Sequence, residues 1–282
     1  MTQRAIFDPP GPLGRFLTWS LAPDATVEAL RRALEGLVLL DGEVVGLGLP
    51  LTRLLKREVP GLREAPSWSG PGVACPATQG ALWMALGGRD AGSLLHRARD
   101  LVRRFDGLLV LDEDVGSFTY GNGRDLSGYE DGTENPKGER MAEVALAPDG
   151  SSFVAVQRWV HDLQRFDALA PNEQDHAIGR SRDTNEELPH APRSAHVQRA
   201  AQESFEPGAF MLRRSMPWGD AREHGLYFVA YGATLDPFER VLHRMMGRDD
   251  GIVDGLFRFT RPGASGCYWC PPAIDGRLVL GL

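Results

Sequence analysis

Short apolar runs alternate with amphipathic segments along this chain, and that alternation restricts its fold more than any other feature. In the first half, residues 15–21 are predicted to form a buried strand, and residues 27–39 an amphipathic helix with apolar residues at helical spacing. Asp24 is expected to cap this helix. A second helix is predicted over residues 90–104, and further strands over residues 44–47, 81–86 and 108–111.

The second half repeats the same order of elements. Strands are predicted over residues 153–159, 209–212, 226–231 and 266–269, and helices over residues 166–176 and 237–246, the last of them stopped at Gly247. Strand–helix–strand units in two similar halves predict an α+β fold built from two units side by side. Turn-forming residues cluster between Gly121 and Gly150, so we divide the chain into residues 1–125 and 126–282.

Charge, hydropathy and cysteine content narrow the class of protein. With 31 Lys and Arg against 38 Asp and Glu, the net charge is −7, which disfavours binding to a phosphate backbone. No apolar run reaches the roughly 20 residues of a membrane-spanning helix, and the first ten residues lack the apolar stretch of a signal peptide. Three cysteines do not indicate a disulfide scaffold. We therefore expect a cytoplasmic protein with no nucleic-acid or membrane partner.

The densest polar stretch covers residues 121–136, with the sequence GNGRDLSGYEDGTENP. The simpler interpretation is a solvated linker, because these residues are ordinary turn formers. The alternative starts from Gly128 and Gly132, which flank Asp131. Glycines let the backbone approach a ligand closely, so the Asp131 carboxylate is a candidate for the wall of a pocket.

His196 lies in the segment SAHVQR at residues 194–199. A lone histidine is more often structural, and the functional alternative is an imidazole that binds a metal. No two histidines have H-E-x-x-H spacing, and none combines with cysteine as in a zinc site. A single histidine ligand suffices only where a cofactor supplies the other ligands, as the haem macrocycle does.

Two further motifs leave alternatives open. Arg213 and Arg214 close an apolar run; either they turn to solvent, or one points inward, where its permanent charge needs a partner such as Asp131. Cys267 and Cys270 have the C-x-x-C spacing of redox motifs. The aromatic residues between them and the two prolines after them favour the end of a strand instead.

Several segments resemble those of dye-decolourising peroxidases. Residues 128–136, GYEDGTENP, resemble the family's G-x-x-D-G signature in its longer form, and residues 211–219, MLRRSMPWG, resemble its distal-arginine strand. Residues 225–231, 238–240 and 259–262 resemble other family segments in the same order. The resemblance is best to the compact bacterial B-type branch and covers about residues 15–269.

The resemblance implies a dimeric ferredoxin-like fold, in which two ferredoxin-like α+β halves have antiparallel sheets and the second half holds one haem b per chain. His196 matches the proximal ligand of the haem iron. Asp254 matches the carboxylate that accepts the other N–H of this imidazole, with Asp249 and Asp250 as nearby rivals for that role.

The resemblance also implies the residues on the distal side of the haem. Asp131 matches the distal aspartate, Arg213 the distal arginine that is both catalytic and haem-contacting, and Ser215 a position that carries asparagine or serine in other members. The implied activity is reduction of hydrogen peroxide and one-electron oxidation of organic donors such as dyes or phenols. Four aromatic residues are candidates for electron transfer: Tyr129, Trp159, Trp218 and Tyr231.

Two other functions compete with that of a peroxidase. The competitors are a haem-handling protein with incidental peroxidase activity and a cofactor-free interaction module, because one fold serves many functions.

The resemblance implies a homo-oligomer. Residues 275–282, DGRLVLGL, faintly resemble the tail by which some relatives dock into an encapsulin shell, but the long linker of such tails is missing and a plain C-terminal segment is favoured.

Overall fold

The main element of the structure, a computed structural model that describes residues 1–281, is a nine-stranded antiparallel sheet. Among residues 1–281 the strands in chain order are β1 (Leu13–Leu21), β2 (Glu43–Gly48), β3 (Trp68–Gly70), β4 (Val73–Cys75), β5 (Leu82–Gly88), β6 (Leu109–Phe118), β7 (Ser152–His161), β8 (Leu212–Arg213), β9 (Met216–Gly219), β10 (His224–Gly232), β11 (Thr260–Cys270), β12 (Ala273–Ile274) and β13 (Arg277–Leu278). Two pairs, β3 with β4 and β12 with β13, form separate two-stranded sheets, and the other nine strands form the large sheet.

Helices of four to fourteen residues and several tighter turns connect these strands. They are α1 (Val27–Glu35), α2 (Leu49–Leu54), α3 (Ala91–Arg104), α4 (Arg140–Ala145), α5 (Leu163–Asp167), α6 (Pro171–Ile178), the four-residue α7 (His196–Arg199) and α8 (Asp236–Met245). Tighter 3-10 turns cover Arg4–Ile6, Gln202–Ser204 and Gly255–Arg258. The expected mixture of helices and antiparallel strands is confirmed. Within residues 1–281, no helix combines the length and the apolar character that a membrane crossing requires.

The large sheet closes on itself. Its strand order is β7-β11-β2-β5-β1-β6-β9-β10-β8, and β10 also pairs with β7, so that eight strands form a ring. The strands of the first half lie side by side in the order β2-β5-β1-β6, and those of the second half in the order β9-β10-β7-β11. The two halves join where β11 pairs with β2 and where Ser117 of β6 pairs with Trp218 of β9.

Aromatic side chains fill the inside of the ring. Phe16 on β1 stacks on Tyr227 of β10 with ring centroids 4.0 Å apart, although the two strands are not neighbours. Trp83 donates its indole N–H to the hydroxyl of Tyr227 (3.1 Å) and stacks against Tyr268. A second core covers the outer face of the sheet, where α1, α3 and α8 bury their apolar stripes. The site described below lies in this outer layer.

Local signals place several element ends differently from the sequence predictions. Thr26, not Asp24, caps α1, because its hydroxyl accepts the backbone N–H of Ala29 (3.4 Å). The helix predicted over residues 166–176 is two helices. α5 ends at Asp167 and α6 restarts at Pro171, whose missing N–H is tolerated only in the first turn of a helix.

The C-x-x-C segment lies at the end of β11, as its flanking residues predicted. Cys267 and Cys270 are fully buried and unpaired. Burial raises the pKa of both thiols. Because the thiolate is the reactive form of cysteine, this environment favours a packing role over a redox role.

The C-terminal segment folds back onto the molecule. The backbone N–H of Val279 donates to the carbonyl of Pro272 (2.8 Å), and Leu280 is only 6 % exposed within the outer core. A tail packed in this way differs from an extended docking peptide. The choice between a plain C-terminal segment and a docking tail stays a prediction of the sequence.

Candidate active site

A large cavity lies in the second half of the chain, against the outer faces of β7 and β10 and next to α8. It encloses roughly 970 Å³ of space outside protein atoms, part of it open to solvent. Alternation along the strands directs Trp159 of β7 and Leu226 and Phe228 of β10 into it, while their neighbours face the inside of the ring. Phe238 and Leu242 of α8 add to its apolar walls.

His196 and Asp254 form a hydrogen-bonded pair on the cavity wall. His196 Nδ1 lies 2.8 Å from Asp254 Oδ2, and the Asp254 side chain is completely buried. The other carboxylate oxygen accepts the backbone N–H of Leu256 (2.8 Å) and so caps the turn that begins at Gly255. Because a carboxylate accepts hydrogen bonds, Nδ1 carries the proton, and Nε2 has no partner within residues 1–281.

The structure separates Asp254 from its two sequence rivals. Asp250 forms a two-pronged ion pair with Arg199, with N–O distances of 2.9 and 3.0 Å. Asp249 hydrogen-bonds to His243. Of the three aspartates, Asp254 is the one that contacts His196.

The ion pair of Arg199 and Asp250 joins the segment that carries His196 to the segment that carries Asp254, and we call it the clamp. Arg199 lies three residues after His196 on α7, and Asp250 lies four residues before Asp254. The Arg199 side chain is 6 % exposed and also donates to the carbonyl of Arg244 at the end of α8 (2.6 Å). The clamp therefore limits how far the two segments can separate.

We expect Arg199→Gln to lower the free energy of unfolding by about 2 kcal/mol at pH 7, because hydrogen bonds to charged groups are lost. The Arg199 hydrogen bonds hold the pKa of Asp250 below its ordinary value. The stabilisation is therefore complete above the pKa of an unfolded aspartate and is lost as pH falls through the lower folded value. Urea unfolding at pH 7 and at pH 3 measures both effects.

Arg193 provides a matched control for this prediction. It also reaches Asp250 (3.2 Å), but its side chain is 79 % exposed. Arg193→Gln should change stability by less than about 0.5 kcal/mol. Equal losses in the two variants, or a loss in Arg199→Gln that does not shrink in acid, would contradict the clamp.

Asp131 lies on the same cavity wall, between two glycines that have positive φ. Gly128 has φ +89° and Gly132 has φ +74°, conformations that side chains disfavour. The backbone N–H of Asp131 donates to the carbonyl of Gly123 (3.0 Å). In the part of the chain that the structure describes, its carboxylate has no hydrogen-bond partner, so it is available to a ligand in the cavity.

Arg213 also faces this cavity, from the end of β8. Asn135 holds its backbone from both sides, accepting its N–H (2.8 Å) and donating to its carbonyl (3.1 Å). This contact ties the loop that contains Asp131 to β8. The Nε of Arg213 is buried with no partner among residues 1–281, and no ion pair with Asp131 forms within 4.0 Å. The expected partnership of the two side chains is thus a shared cavity and not a direct ion pair.

Ser215 and Arg214 lie outside the wall of the large cavity. Ser215 accepts the backbone N–H of Val229 (3.3 Å) and lines a smaller adjoining pocket, which Asp131 and Arg213 also reach. Arg214 lies just after the end of β8, lines the same adjoining pocket and donates to the carbonyl of Phe7 (2.8 Å).

A second histidine–aspartate pair on the cavity wall was missed in the sequence. His161 Nε2 lies 3.0 Å from Asp125, and its Nδ1 lies 2.6 Å from the hydroxyl of Thr260. Burial alone would raise the pKa of Asp125, but hydrogen bonds from His161 and Ser127 outweigh it and keep this pKa below its ordinary value. Asp125 and His161 are 36 residues apart, and no spacing rule connects them.

Residues 122–275, more than half of the chain, match the family model for the C-terminal part of Dyp-type peroxidases. The chain belongs to the Dyp-type peroxidase family. The match covers every residue placed on the cavity wall above, from Asp125 to Thr260. The family assignment from the sequence resemblance is confirmed.

Relatives within the Dyp-type family match most of the chain. A dye-decolorizing peroxidase from Brevibacterium linens is 27 % identical over 96 % of this chain and 80 % of its own length. Another from Rhodococcus erythropolis is 32 % identical over 71 % of this chain and 62 % of its own length.

Solved structures of similar proteins match nearly the whole fold. A dye-decolorizing protein from V. cholerae has a TM-score of 0.86 and 28 % identity, and the match covers 96 % of this chain and 97 % of that one. A variant of DypB from Rhodococcus jostii RHA1 in complex with heme has a TM-score of 0.87 and 27 % identity, with 95 % of each chain covered.

Proposed function

We propose that the protein is a haem-dependent peroxidase that reduces hydrogen peroxide and oxidises organic donors, such as dyes or phenols, in one-electron steps. The observation that carries this proposal is the composition of one cavity. Three side chains face the same apolar space. They are His196 with a free Nε2, Asp131 with an unpartnered carboxylate, and Arg213 with an unpartnered guanidinium.

We assign one haem b per chain to this cavity, because its walls are largely apolar, as the walls of cofactor sites usually are. The buried Nε of Arg213 lacks an anionic partner, which a haem propionate would supply. Residues 1–281 contain no group of three or more His, Cys, Asp or Glu side chains that could hold a metal ion. An iron bound by the single imidazole of His196 would therefore take its other ligands from the haem macrocycle.

His196 would hold the haem iron through Nε2, because Nδ1 is bound to Asp254. Bound haem supplies an iron at which peroxide is reduced and from which oxidising equivalents pass to donors. Asp254 fixes the tautomer of His196 by accepting the Nδ1 proton, and it strengthens electron donation from the imidazole. The complete burial of Asp254 keeps water from competing for that proton.

Asp131 and Arg213 would act on peroxide. The Asp131 carboxylate takes a proton from the incoming peroxide and returns it to the departing oxygen, directly or through one water. The Arg213 guanidinium stabilises the negative charge that develops, without changing its own protonation. Ser215, in the adjoining pocket, would orient a water next to these two groups.

The candidates for electron transfer divide between two environments. Tyr129 and Trp159 line the large cavity, whereas Trp218 and Tyr231 lie in the core inside the ring. All four are buried. We therefore place the first electron-transfer step on Tyr129 or Trp159.

The strand order supports two ferredoxin-like halves, which we divide at residues 1–125 and 126–282. The four ring strands of each half, numbered along the chain without the short β8, lie in the order 2-3-1-4. Helices connect strand 1 to strand 2 and strand 3 to strand 4. The residues that line the proposed haem cavity belong to the second half, except Asp125, the last residue of the first half. The homo-oligomeric state and the cytoplasmic location stay predictions of the sequence.

An absorption spectrum of the purified protein, before and after addition of peroxide, tests the proposed function. We expect a Soret band that changes rapidly with peroxide and recovers when an oxidisable dye is added and bleached. A Soret band that does not respond to peroxide would favour the haem-handling protein. A protein that takes up no haem would favour the cofactor-free module.

A further inference from the structure

A second cavity opens at one end of the ring. The pocket that contains Ser215, Asp131 and Arg213 lies between it and the proposed haem site, and shares Arg214 and Met216 with it. The second cavity encloses roughly 720 Å³ of space outside protein atoms, part of it open to solvent, and it has no lining residue in common with the large cavity. Side chains that face the inside of the ring form its floor, including Phe16, Met216 and Tyr231. The N-terminal segment lies along one side. Mouths of β-barrels are frequent ligand sites.

Arg214 is the cationic group of this cavity. Its two terminal nitrogens donate to the backbone carbonyls of Arg213 (3.1 Å) and Phe7 (2.8 Å), which fix the plane of the guanidinium. Its Nε is buried without a partner, and within the described residues no carboxylate lies within 4.0 Å. Asp8 lines the same cavity, but it is exposed and beyond that distance. Partial burial disfavours the charged form and lowers the pKa of Arg214.

This arrangement leaves a specific gap in hydrogen bonding. A guanidinium has five N–H groups; the two carbonyls use two of them, and the sulfur of Met141 (3.7 Å) accepts a third. The buried Nε–H and a terminal N–H remain for an acceptor, the geometry that a planar carboxylate matches with two parallel hydrogen bonds. The apolar surfaces of Phe16, Val44 and Met216 lie in the same cavity and suit a hydrocarbon body attached to that carboxylate.

We propose that the mouth of the ring is a second binding site, for a small monocarboxylate with an apolar body. The carboxylate binds Arg214, and the apolar body packs against Phe16 and Met216. An anionic ligand would offset the cost of holding a guanidinium partly away from water, where Asp8 attracts it only from beyond 4.0 Å.

Calorimetric titration of the haem-loaded protein with benzoate and with hexanoate tests this site. At least one of the two acids should bind saturably, with one site per chain and no change in the Soret band, and the matching neutral amide should bind at least ~10-fold more weakly. Arg214→Gln should weaken binding at least ~10-fold, and Arg214→Lys by less, because lysine keeps the charge but loses the planar pair of donors.

Two further variants keep the test decisive. Ala85→Phe fills the apolar part of the cavity from β5, where Ala85 is half-buried, and should abolish binding while Arg214 is intact. Arg213→Gln removes the neighbouring guanidinium of the large cavity and should leave acid binding within twofold. The proposal fails if neither acid binds, if the amide binds as tightly as the acid, if Arg213→Gln has the larger effect, or if Ala85→Phe binds normally.

Discussion

Replacing His196 by alanine should weaken haem binding by more than ~100-fold, because the cavity then offers no other free imidazole to the iron. The second histidine on its wall, His161, has both ring nitrogens engaged, with Asp125 and Thr260. Titration of the apoprotein with haem, followed at the Soret band, measures the loss. Added imidazole should restore part of the Soret band by occupying the space that the side chain leaves.

Exposed His190 gives the matched control, since it lies outside the cavity and on no helix or strand. His190→Ala should bind haem as the unmodified protein does. Asp254→Asn should weaken binding by about 10–100-fold, the usual effect of removing the partner of a ligating histidine. Unchanged haem affinity in His196→Ala would show that another group ligates the iron.

Asp131→Asn should slow the reaction of the haem-loaded protein with peroxide by about 10²–10⁴-fold, because the amide cannot carry the proton. Haem content should not change, since no hydrogen bond of the Asp131 side chain supports the fold. Stopped-flow absorbance at the Soret band, with peroxide in excess, gives the rate. The same measurement on Arg213→Gln gives the contribution of the guanidinium.

Glu130 is the control for this second prediction. Its carboxylate lines the same cavity one residue earlier, but it is bound to Asn185 (2.8 Å) and is therefore held away from proton transfer. Glu130→Gln should react with peroxide within about threefold of the normal rate. A normal rate in Asp131→Asn, or a larger loss in Glu130→Gln, would remove Asp131 from the proton-transfer step.

The order of elements could be predicted from the sequence, but the closure of the sheet could not. Apolar periodicity separates strands from helices because each local segment must bury one face. The contacts that close the ring join residues far apart in the chain, such as Tyr268 with Gly48 and Ser117 with Trp218. The local sequence pattern of these segments does not indicate which strand is the partner. The split of the predicted helix at Pro171 was missed, although it follows from the local chemistry of proline. The pairing of β10 with β7 does not follow from any local pattern.

The candidate site shows the same division. Asp131 and Arg213 were found through motifs, and the folded chain brings them to one cavity without a direct ion pair. The choice of Asp254 over Asp249 and Asp250 depended on which carboxylate the fold places against His196, a contact across 58 residues. The position of the Arg214 side chain depends on the carbonyl of Phe7, near the other end of the chain.

A crystal structure of the haem-loaded protein tests the central claim most directly. We expect one haem per chain in the cavity of the second half, with iron bound to His196 Nε2 and with Asp131 and Arg213 on the other face of the porphyrin. Haem in another cavity, a different axial ligand, or Asp131 and Arg213 on the same face as His196 would contradict the claim.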